Sequence, residues 1–195
     1  MKRTDFTKQQ LADTVKRLAG AGALKGLTVQ MIADACGINR GTFYYHFYDK
    51  LELIQWIYHT EITEPTRRIL AGDPQEWSAI SVFGLDVMYR DKDFYVQALR
   101  LEGQNNLADY MKGEIEGNWD LLTKRYAELR YPGKSVRNMG FFAEFMANGA
   151  WAMLKKWVEN GMQEPPAALA DLIDTIAGNS MEAMAARYYE AKSRL

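Results

Sequence analysis

The chain has 195 residues, of which 48% are hydrophobic and 25% are charged, a composition typical of a globular protein with one or two domains. Its single cysteine excludes an internal disulfide bond and any metal site built from several cysteines. The net charge of −1 conceals an asymmetry, because residues 1–60 carry eight Lys and Arg against five Asp and Glu. A basic front part and an acidic remainder favour contact with nucleic acid at one end of the chain.

The first predicted element is a helix. Thr7 and Gln10 match a capping box, and apolar residues at helical spacing follow them. Gly20 and Gly22 are predicted to end this helix, since glycine is favoured where a helix terminates.

The beginning of the chain does not match a signal peptide, because no apolar segment follows its charged residues. No stretch approaches the ~20 uncharged residues that span a bilayer. We therefore expect a cytoplasmic protein without a membrane segment.

The next part of the chain predicts two short helices joined by a tight turn. Thr28 suits the N-cap of the first helix and Asn39 that of the second. Gly37 suits the left-handed backbone that ends the first helix. Phe43 and Phe47 place two rings on the buried side of the second helix. This layout is a helix-turn-helix, which places its second helix in the DNA major groove.

This stretch resembles the TetR family of bacterial transcriptional regulators. The matching positions are Thr28, Ile32, Ala33, Gly37, Ile38, Gly41, Thr42, Phe43, Tyr44, His46, Phe47, Lys50 and Leu53. Cys36 stands where the family usually has alanine, and its apolar neighbours favour a buried structural thiol over a redox sensor. The resemblance implies an N-terminal three-helix DNA-binding domain over residues 1–60, followed by a helical effector-binding and dimerisation domain over residues 61–195.

Nine residues are predicted to contact DNA: Thr28, Asn39, Arg40, Gly41, Thr42, Tyr44, Tyr45, His46 and Lys50. Arg40 begins the recognition helix, where its guanidinium can reach O6 and N7 of a guanine. Gly41 lets the backbone approach the groove closely. Tyr44 and Tyr45 lie on the outward side, where a ring can touch a thymine methyl group and a hydroxyl can bond a phosphate. Packing against the first helix is the alternative for both rings.

Four of these residues are assigned to phosphates by the resemblance alone. In the family, the positions of Thr28, Thr42, His46 and Lys50 mostly bond phosphate oxygens, which fix the register on DNA without reading its sequence. For His46 a structural role within the domain is the alternative.

Helices are predicted for the rest of the chain as well. One runs from residue 50 to about residue 63, and Pro65 should kink or end it. Asp73, Pro74 and Glu76 predict the start of the next helix, with the proline at its first position.

The second half continues with a short helix over residues 94–101, a polar turn over residues 102–106 and then a long helix. Residues 135–160 are predicted to form the longest helix, which Gly161 ends, and Pro166 helps to open the last one. No stretch shows the alternation of a β-strand over more than a few residues. The predicted fold class is therefore all-α.

The C-terminal part is similar to a TetR subgroup that includes regulators related to dihydroxyacetone-kinase activators. The resembling motifs are Thr42-Phe43-Tyr44-Tyr45 with Trp56-Ile57-Tyr58, then Glu102-Gly103-Gln104-Asn105 with Tyr110, and Trp157-Val158-x-Asn160-Gly161-Met162. The region is rich in methionine and aromatic residues, which adaptable ligand pockets use. The pocket candidates, with core packing as the alternative, are Phe83, Val87, Phe94, Tyr110, Trp119, Phe142 and Met146.

The last two helices carry small residues that permit close helix approach. They are Ala143, Ala147, Gly149, Ala150, Ala177, Gly178 and Ser180. In the family this pair of helices builds a four-helix dimer interface, and packing within one chain is the alternative.

Together these features predict a homodimeric DNA-binding regulator that represses from a palindromic operator and leaves it when a small-molecule effector binds the C-terminal domain. The alternative is control by a protein coactivator. No cofactor is expected. The rival class is a helical enzyme or metal protein, but the two histidines, His46 and His59, belong to no metal-binding or catalytic motif.

Overall fold

The computed structural model describes residues 3–22, 24–72, 79–132 and 138–190, without the side chains of Arg3 and of residues 185–190. Within these ranges all regular structure is helical and no strand is present, which confirms the predicted all-α class. The predicted helix start at Asp73 and Pro74 and the predicted start of a helix at residue 135 lie outside the described ranges.

Ten α-helices and one π-helical segment occupy the described residues. They are α1 Arg3–Gly20, α2 Val29–Cys36, α3 Arg40–His46, α4 Lys50–Tyr58, the π segment His59–Thr63, α5 Glu64–Ala71, α6 Ala79–Arg90, α7 Lys92–Ala98, α8 Leu107–Arg130, α9 Met139–Glu159 and α10 Pro166–Glu190. Helix α1 begins before Thr7, because no Gly or Pro in residues 3–6 stops it. The prediction that α9 is the longest helix is wrong: α9 has 21 residues, whereas α8 has 24 and α10 has 25.

The chain folds into two compact units. The first consists of Met1–Glu64 with Val87–Met111, and the second consists of Pro65–Asp86 with Lys112–Leu195. Residues 87–111 thus pack with the N-terminal helices although they come later in the chain.

In the first unit, α1 packs on α2, α4 and α7, and α2 packs on α3. Apolar side chains from these helices are fully buried, among them Leu11, Val15, Ile32 and Leu53. The buried ring of Phe43 on α3 contacts the ring of Phe47, with centroids 6.1 Å apart. This core fixes α3 against α2, and so decides which side of α3 faces outward.

The helix that leaves this core is interrupted just before Pro65, as predicted. The Glu64 N–H donates to the His59 carbonyl five residues back, so the chain makes one π-helical turn there. Proline lacks an N–H, and its ring crowds the carbonyl of the residue four positions earlier. A wider turn before Pro65 relieves that crowding.

Polar contacts tie α1 to the later parts of the first unit. Lys16 donates to Glu61 Oε2 at 2.6 Å and to Asp91 Oδ2 at 2.8 Å. Gln97 on α7 donates from Nε2 to the Ala19 carbonyl at 2.6 Å. One cation between two carboxylates therefore links α1, the π segment and the turn between α6 and α7.

The second unit has its own apolar core, made by α8, α9 and α10. Its buried members are Trp119, Met139, Phe142, Ala143, Met146, Ala147 and Met181. Ala150 and Ala177 pack against this cluster, so several of the small residues serve contact within one chain. A polar contact adds to the core, because Ser81 donates to Asp174 Oδ1 at 2.8 Å. In the described part of the chain no helix is both long and apolar enough to cross a membrane.

Candidate nucleic-acid interface

Local caps shape the turn between α2 and α3. The Thr28 hydroxyl oxygen accepts from the Met31 N–H at 3.2 Å and starts α2. Gly37 ends α2 with φ at 69°, a left-handed backbone that favours glycine. The Ile38 N–H then donates to the Ala33 carbonyl at 3.0 Å, which closes a Schellman turn. The predicted caps at Thr28 and Gly37 are both present in the structure.

Asn39 caps α3, as predicted. Its Oδ1 accepts from the Thr42 N–H at 2.7 Å and from the Thr42 hydroxyl at 3.0 Å. A Cβ added at Gly41 would lie 3.2 Å from the same oxygen. Glycine at position 41 therefore leaves room for the hydrogen bonds that cap α3. This is a second reason for glycine here, besides the predicted close approach of the backbone to DNA.

Three large side chains stand on the outward side of α3. Tyr45 is 79% exposed, Tyr44 is 45% exposed and Arg40 is exposed one turn before Tyr44. The Tyr45 ring meets the His46 ring edge to face, with centroids 4.9 Å apart. A guanidinium and two phenols on one exposed helical face can form hydrogen bonds and apolar contacts with base edges and phosphates.

A groove of about 570 Å³ lies beside this face. It is lined by Thr4, Thr7, Gly37, Ile38, Asn39, Thr42, Tyr45 and His46. Thr4 and Thr7 come from the start of α1 and were not among the predicted DNA-contacting residues. The sequence offered only a capping signal at Thr7, and the proximity of α1 to α3 arises from packing between distant helices. Hydroxyl groups and backbone N–H groups beside an exposed recognition helix can donate hydrogen bonds to phosphate oxygens.

His46 lies half-buried at the end of α3 and lines the same groove. Its Nδ1 is buried and has no hydrogen-bond partner among the described residues. Burial, and secondarily the charge of Lys8, lower the pKa of His46 below its usual value of 6.5. Lys8 itself lies over the rings of Phe47 and Trp56, at 5.3 and 5.7 Å from their centroids. His46 is therefore neutral near pH 7 in the free protein.

Lys50 makes contacts that the sequence did not indicate. Its Nζ donates to the carbonyls of Leu24 at 3.2 Å, Lys25 at 3.1 Å and Leu27 at 2.9 Å. Because an ammonium has three N–H donors, these carbonyls occupy all of them. Partial burial lowers the pKa of Lys50. Lys50 thus links the loop before Thr28 to the start of α4. A bond from Lys50 to a DNA phosphate stays a prediction.

The seven predicted pocket residues divide between the two units. Val87, Phe94 and Tyr110 belong to the first unit, where the Tyr110 hydroxyl lies 2.8 Å from His59 Nδ1. Phe83, Trp119, Phe142 and Met146 belong to the second unit, where the last three join the apolar core. Their role as ligand contacts stays a prediction.

An apolar face on α9 and α10 remains open. Phe141 and Phe145, one turn apart on α9, are each 76% exposed. On α10, Leu172 and Ile176 are 48% and 42% exposed. A shallow groove of about 650 Å³ beside the two phenylalanines is lined by Asn138, Phe141, Phe142, Phe145, Met146, Ser180 and Met184. Phe141 and Phe145 are adjacent beside this groove, and an exposed apolar patch of this kind marks an interaction surface more often than a free surface.

Two family models match the chain. The model for bacterial regulatory proteins of the tetR family matches residues 11–57, which include α2, α3 and most of α4. The model for a transcriptional regulator C-terminal region matches residues 75–179, more than half of the chain. The chain belongs to the TetR family of transcriptional regulators. This confirms the family resemblance, which rested on the helix-turn-helix positions, and makes the protein a transcription factor and not an enzyme.

Solved structures of other regulators share the fold of this TetR-family protein. The dihydroxyacetone kinase operon activator DhaS matches with a TM-score of 0.73 at 18% identity, over 91% of this chain and 97% of that chain. The fatty acid degradation regulator FadR from Bacillus halodurans matches with a TM-score of 0.64 at 15% identity, over 87% and 93%. FadR from Thermus thermophilus, a TetR-family transcriptional repressor in complex with lauroyl-CoA, matches with a TM-score of 0.58 at 15% identity, over 87% and 92%.

The match to DhaS agrees with the predicted similarity of the C-terminal region to that subgroup, at the level of the fold. No curated protein sequence matches the TetR-family chain significantly. Among the residues that the structure describes, no three His, Cys, Asp or Glu side chains are grouped as a metal site.

Proposed function

We propose that this TetR-family protein is a homodimeric repressor that reads a palindromic operator with two copies of α3 and is released by an effector bound in its C-terminal domain. The observation that carries the proposal is the outward face of α3. Arg40, Tyr44 and Tyr45 project from a helix whose start is capped and whose opposite side is buried. Such a helix presents preorganised side chains to a groove.

A dimer is proposed because α3 has only seven residues and can reach few base pairs. Two such helices about 34–36 Å apart would read successive major grooves of a palindrome. The open apolar face on α9 and α10 supports this arrangement. Phe141 and Phe145 are too exposed to contribute to the core of their own chain. A second copy of the same face would bury them around a twofold axis.

Control by an effector is proposed from the composition of the second unit and from one neighbour. The core of this unit includes Trp119, Phe142 and three methionines, side chains that can repack around an apolar ligand. The Thermus thermophilus FadR structure contains lauroyl-CoA, an apolar chain on a polar head. Coupling of ligand binding to DNA binding is typically worth about 1–3 kcal/mol, enough to release an operator.

Control by a protein coactivator is the second candidate. One solved neighbour, DhaS, is named as an operon activator, so the same fold serves activation as well as repression. In addition, described side chains of α8, α9 and α10 pack directly on one another in the core of the second unit. A coactivator would act on the surface of that unit and would need no internal cavity.

The proposal is tested by selecting genomic fragments with the full-length protein and measuring affinity for the selected duplex at several salt concentrations. We expect sequence-preferring binding that weakens as salt rises, because phosphate contacts release counterions. Arg40→Ala should weaken binding to the selected duplex by about 1–3 kcal/mol and change nonspecific binding little. Arg130→Ala, at the exposed end of α8 in the second unit, removes the same group from outside the helix-turn-helix and should have no effect. Absence of any preferred duplex would contradict the proposal.

A further inference from the structure

We infer that Tyr44 is a positioning residue for DNA reading: its hydroxyl and ring hold the Arg40 guanidinium in the orientation that meets a base. This rests on the proposed function, and it assigns Tyr44 a role through Arg40 where the sequence suggested a direct DNA contact. The observation is a paired contact on the exposed face of α3. Arg40 Nη2 and Nε donate to the Tyr44 hydroxyl at 2.9 and 3.3 Å.

The contact with Tyr44 leaves available the edge of the Arg40 guanidinium that can bind a base. An arginine guanidinium has five N–H donors in a planar fork. Nε and Nη2 form one side edge of that fork, and the Tyr44 oxygen occupies it. The end edge, with one hydrogen of Nη1 and the second hydrogen of Nη2, is not used by these contacts. Two parallel donors on this edge are what a guanine accepts at O6 and N7.

The ring of Tyr44 adds a second restraint. The Arg40 Cζ lies 5.2 Å from the centroid of this ring, within the range of a cation–π contact. The ring is itself anchored, because it meets the buried Phe43 ring edge to face with centroids 5.7 Å apart. A chain of contacts therefore runs from the core of the first unit, through Tyr44, to the guanidinium of an exposed arginine.

Holding Arg40 before DNA arrives lowers the entropy lost on binding. A flexible side chain that becomes ordered at an interface weakens the complex, and a side chain that is already ordered avoids this loss. The end edge of the guanidinium would also be presented in one direction, which favours one base over others. Tyr44 should therefore affect both affinity and base preference through Arg40.

A double-mutant cycle on the full-length protein tests this, with a duplex selected by the wild type from a random pool. Tyr44→Phe removes only the hydroxyl and should weaken binding about fivefold, the usual effect of leaving one long side chain unordered. In the Arg40→Ala background the same change should have less than about a twofold effect, because the hydroxyl has lost its partner. Tyr45→Phe is the matched comparison, and its effect should be equal in both backgrounds.

Base preference is the readout that a merely structural role would not change. Selection with Tyr44→Phe should relax preference at the same base pair as selection with Arg40→Ala. Equal losses from Tyr44→Phe in both backgrounds, or relaxed preference at a different base pair, would show that Tyr44 contacts DNA itself and would overturn the inference. If the wild type selects no preferred duplex, the proposed function fails, and this inference fails with it.

Discussion

Asn39 has an observed role and a predicted role at the start of α3, and substitution can separate them. Its Oδ1 accepts from both the N–H and the hydroxyl of Thr42, and its side chain is exposed beside the recognition face. The cap concerns folding, whereas a contact of the exposed amide with DNA is a prediction.

Substitution of Asn39 should separate these effects. Asn39→Ala removes the acceptor and should lower the free energy of unfolding by about 1 kcal/mol. Asn39→Asp keeps an acceptor and should retain stability, but its negative charge should weaken operator binding by repelling phosphates. Urea denaturation and a DNA-binding titration measure the two properties. An Asn39→Asp variant that binds as tightly as the wild type would show that this side chain lies away from the phosphates.

His46 should give the first unit a pH-dependent stability. Its folded-state pKa lies below 6.5 because burial, and then Lys8, disfavour its charged form. As pH falls through 6.5 the unfolded chain takes up the proton first, so the free energy of unfolding decreases until the folded-state pKa is reached.

The comparison variant is His46→Gln, which cannot titrate. The free energy of unfolding of the wild type minus that of the variant should decrease as pH falls from about 8 to about 5, the range in which histidine titrates. Urea denaturation at several pH values measures this difference. A difference that stays constant, or that increases as pH falls, would contradict a lowered pKa at His46.

At the scale of elements, Lys50 connects the loop before α2 to the start of α4. All three carbonyls that it binds, at residues 24, 25 and 27, belong to this loop. The loop leads directly into Thr28, the N-cap of α2. A movement of α4 would therefore be passed to the start of α2 through one ammonium group.

Lys50→Met should lower the free energy of unfolding by about 1–2 kcal/mol, as expected when hydrogen bonds to a charged group are lost at a half-buried site. Lys25→Met is the matched control, because it removes the same charge from an exposed position in the same loop. That control should change stability by less than about 0.5 kcal/mol. If Lys50→Met loses DNA affinity at unchanged stability, the ammonium serves phosphate instead of the loop.

The elements also show what a sequence can predict. The caps at Thr28, Asn39 and Gly161 and the interruption before Pro65 depend on neighbouring residues, so local chemistry was sufficient to predict them. The three contacts of Lys50 depend on a loop more than twenty residues away. The same holds for the packing of residues 87–111 with the first unit. Such long-range contacts leave no periodic signal in the sequence.

In the candidate DNA interface, too, the features set by local sequence could be predicted, and those set by long-range packing could not. Arg40, Tyr44 and Tyr45 were placed on the outward side of α3 from helical spacing, and they are exposed there. Thr4 and Thr7 were missed, because their approach to α3 depends on the packing of α1. The bond from Arg40 to Tyr44 spans one turn of helix, whereas the sequence suggested a separate DNA contact for each residue.

At the scale of the whole molecule, the open face on α9 and α10 predicts self-association. Phe141→Glu with Phe145→Glu should leave each chain folded, since both rings are 76% exposed and lie outside its core. Charges on both copies of a shared face would repel one another and prevent dimer formation. Sedimentation equilibrium should report a dimer for the wild type and a monomer for the variant.

The control introduces a glutamate on the same helix at an exposed polar position and keeps the net charge, as in Asn148→Glu with Asp171→Asn. It should remain dimeric. The monomeric variant should also lose specific operator binding, because a single α3 reads too few bases. Retention of a dimer by the phenylalanine variant would place the interface elsewhere.

In the proposed complex, two protomers place their α3 helices in successive major grooves of one duplex. Hydroxyl-radical footprinting on the selected duplex, with the number of bound protomers measured by sedimentation, tests it most directly. The expected result is two protomers per site and two symmetric protected regions about 10 base pairs apart. One protomer per site, or a single asymmetric protected region, would contradict the claim.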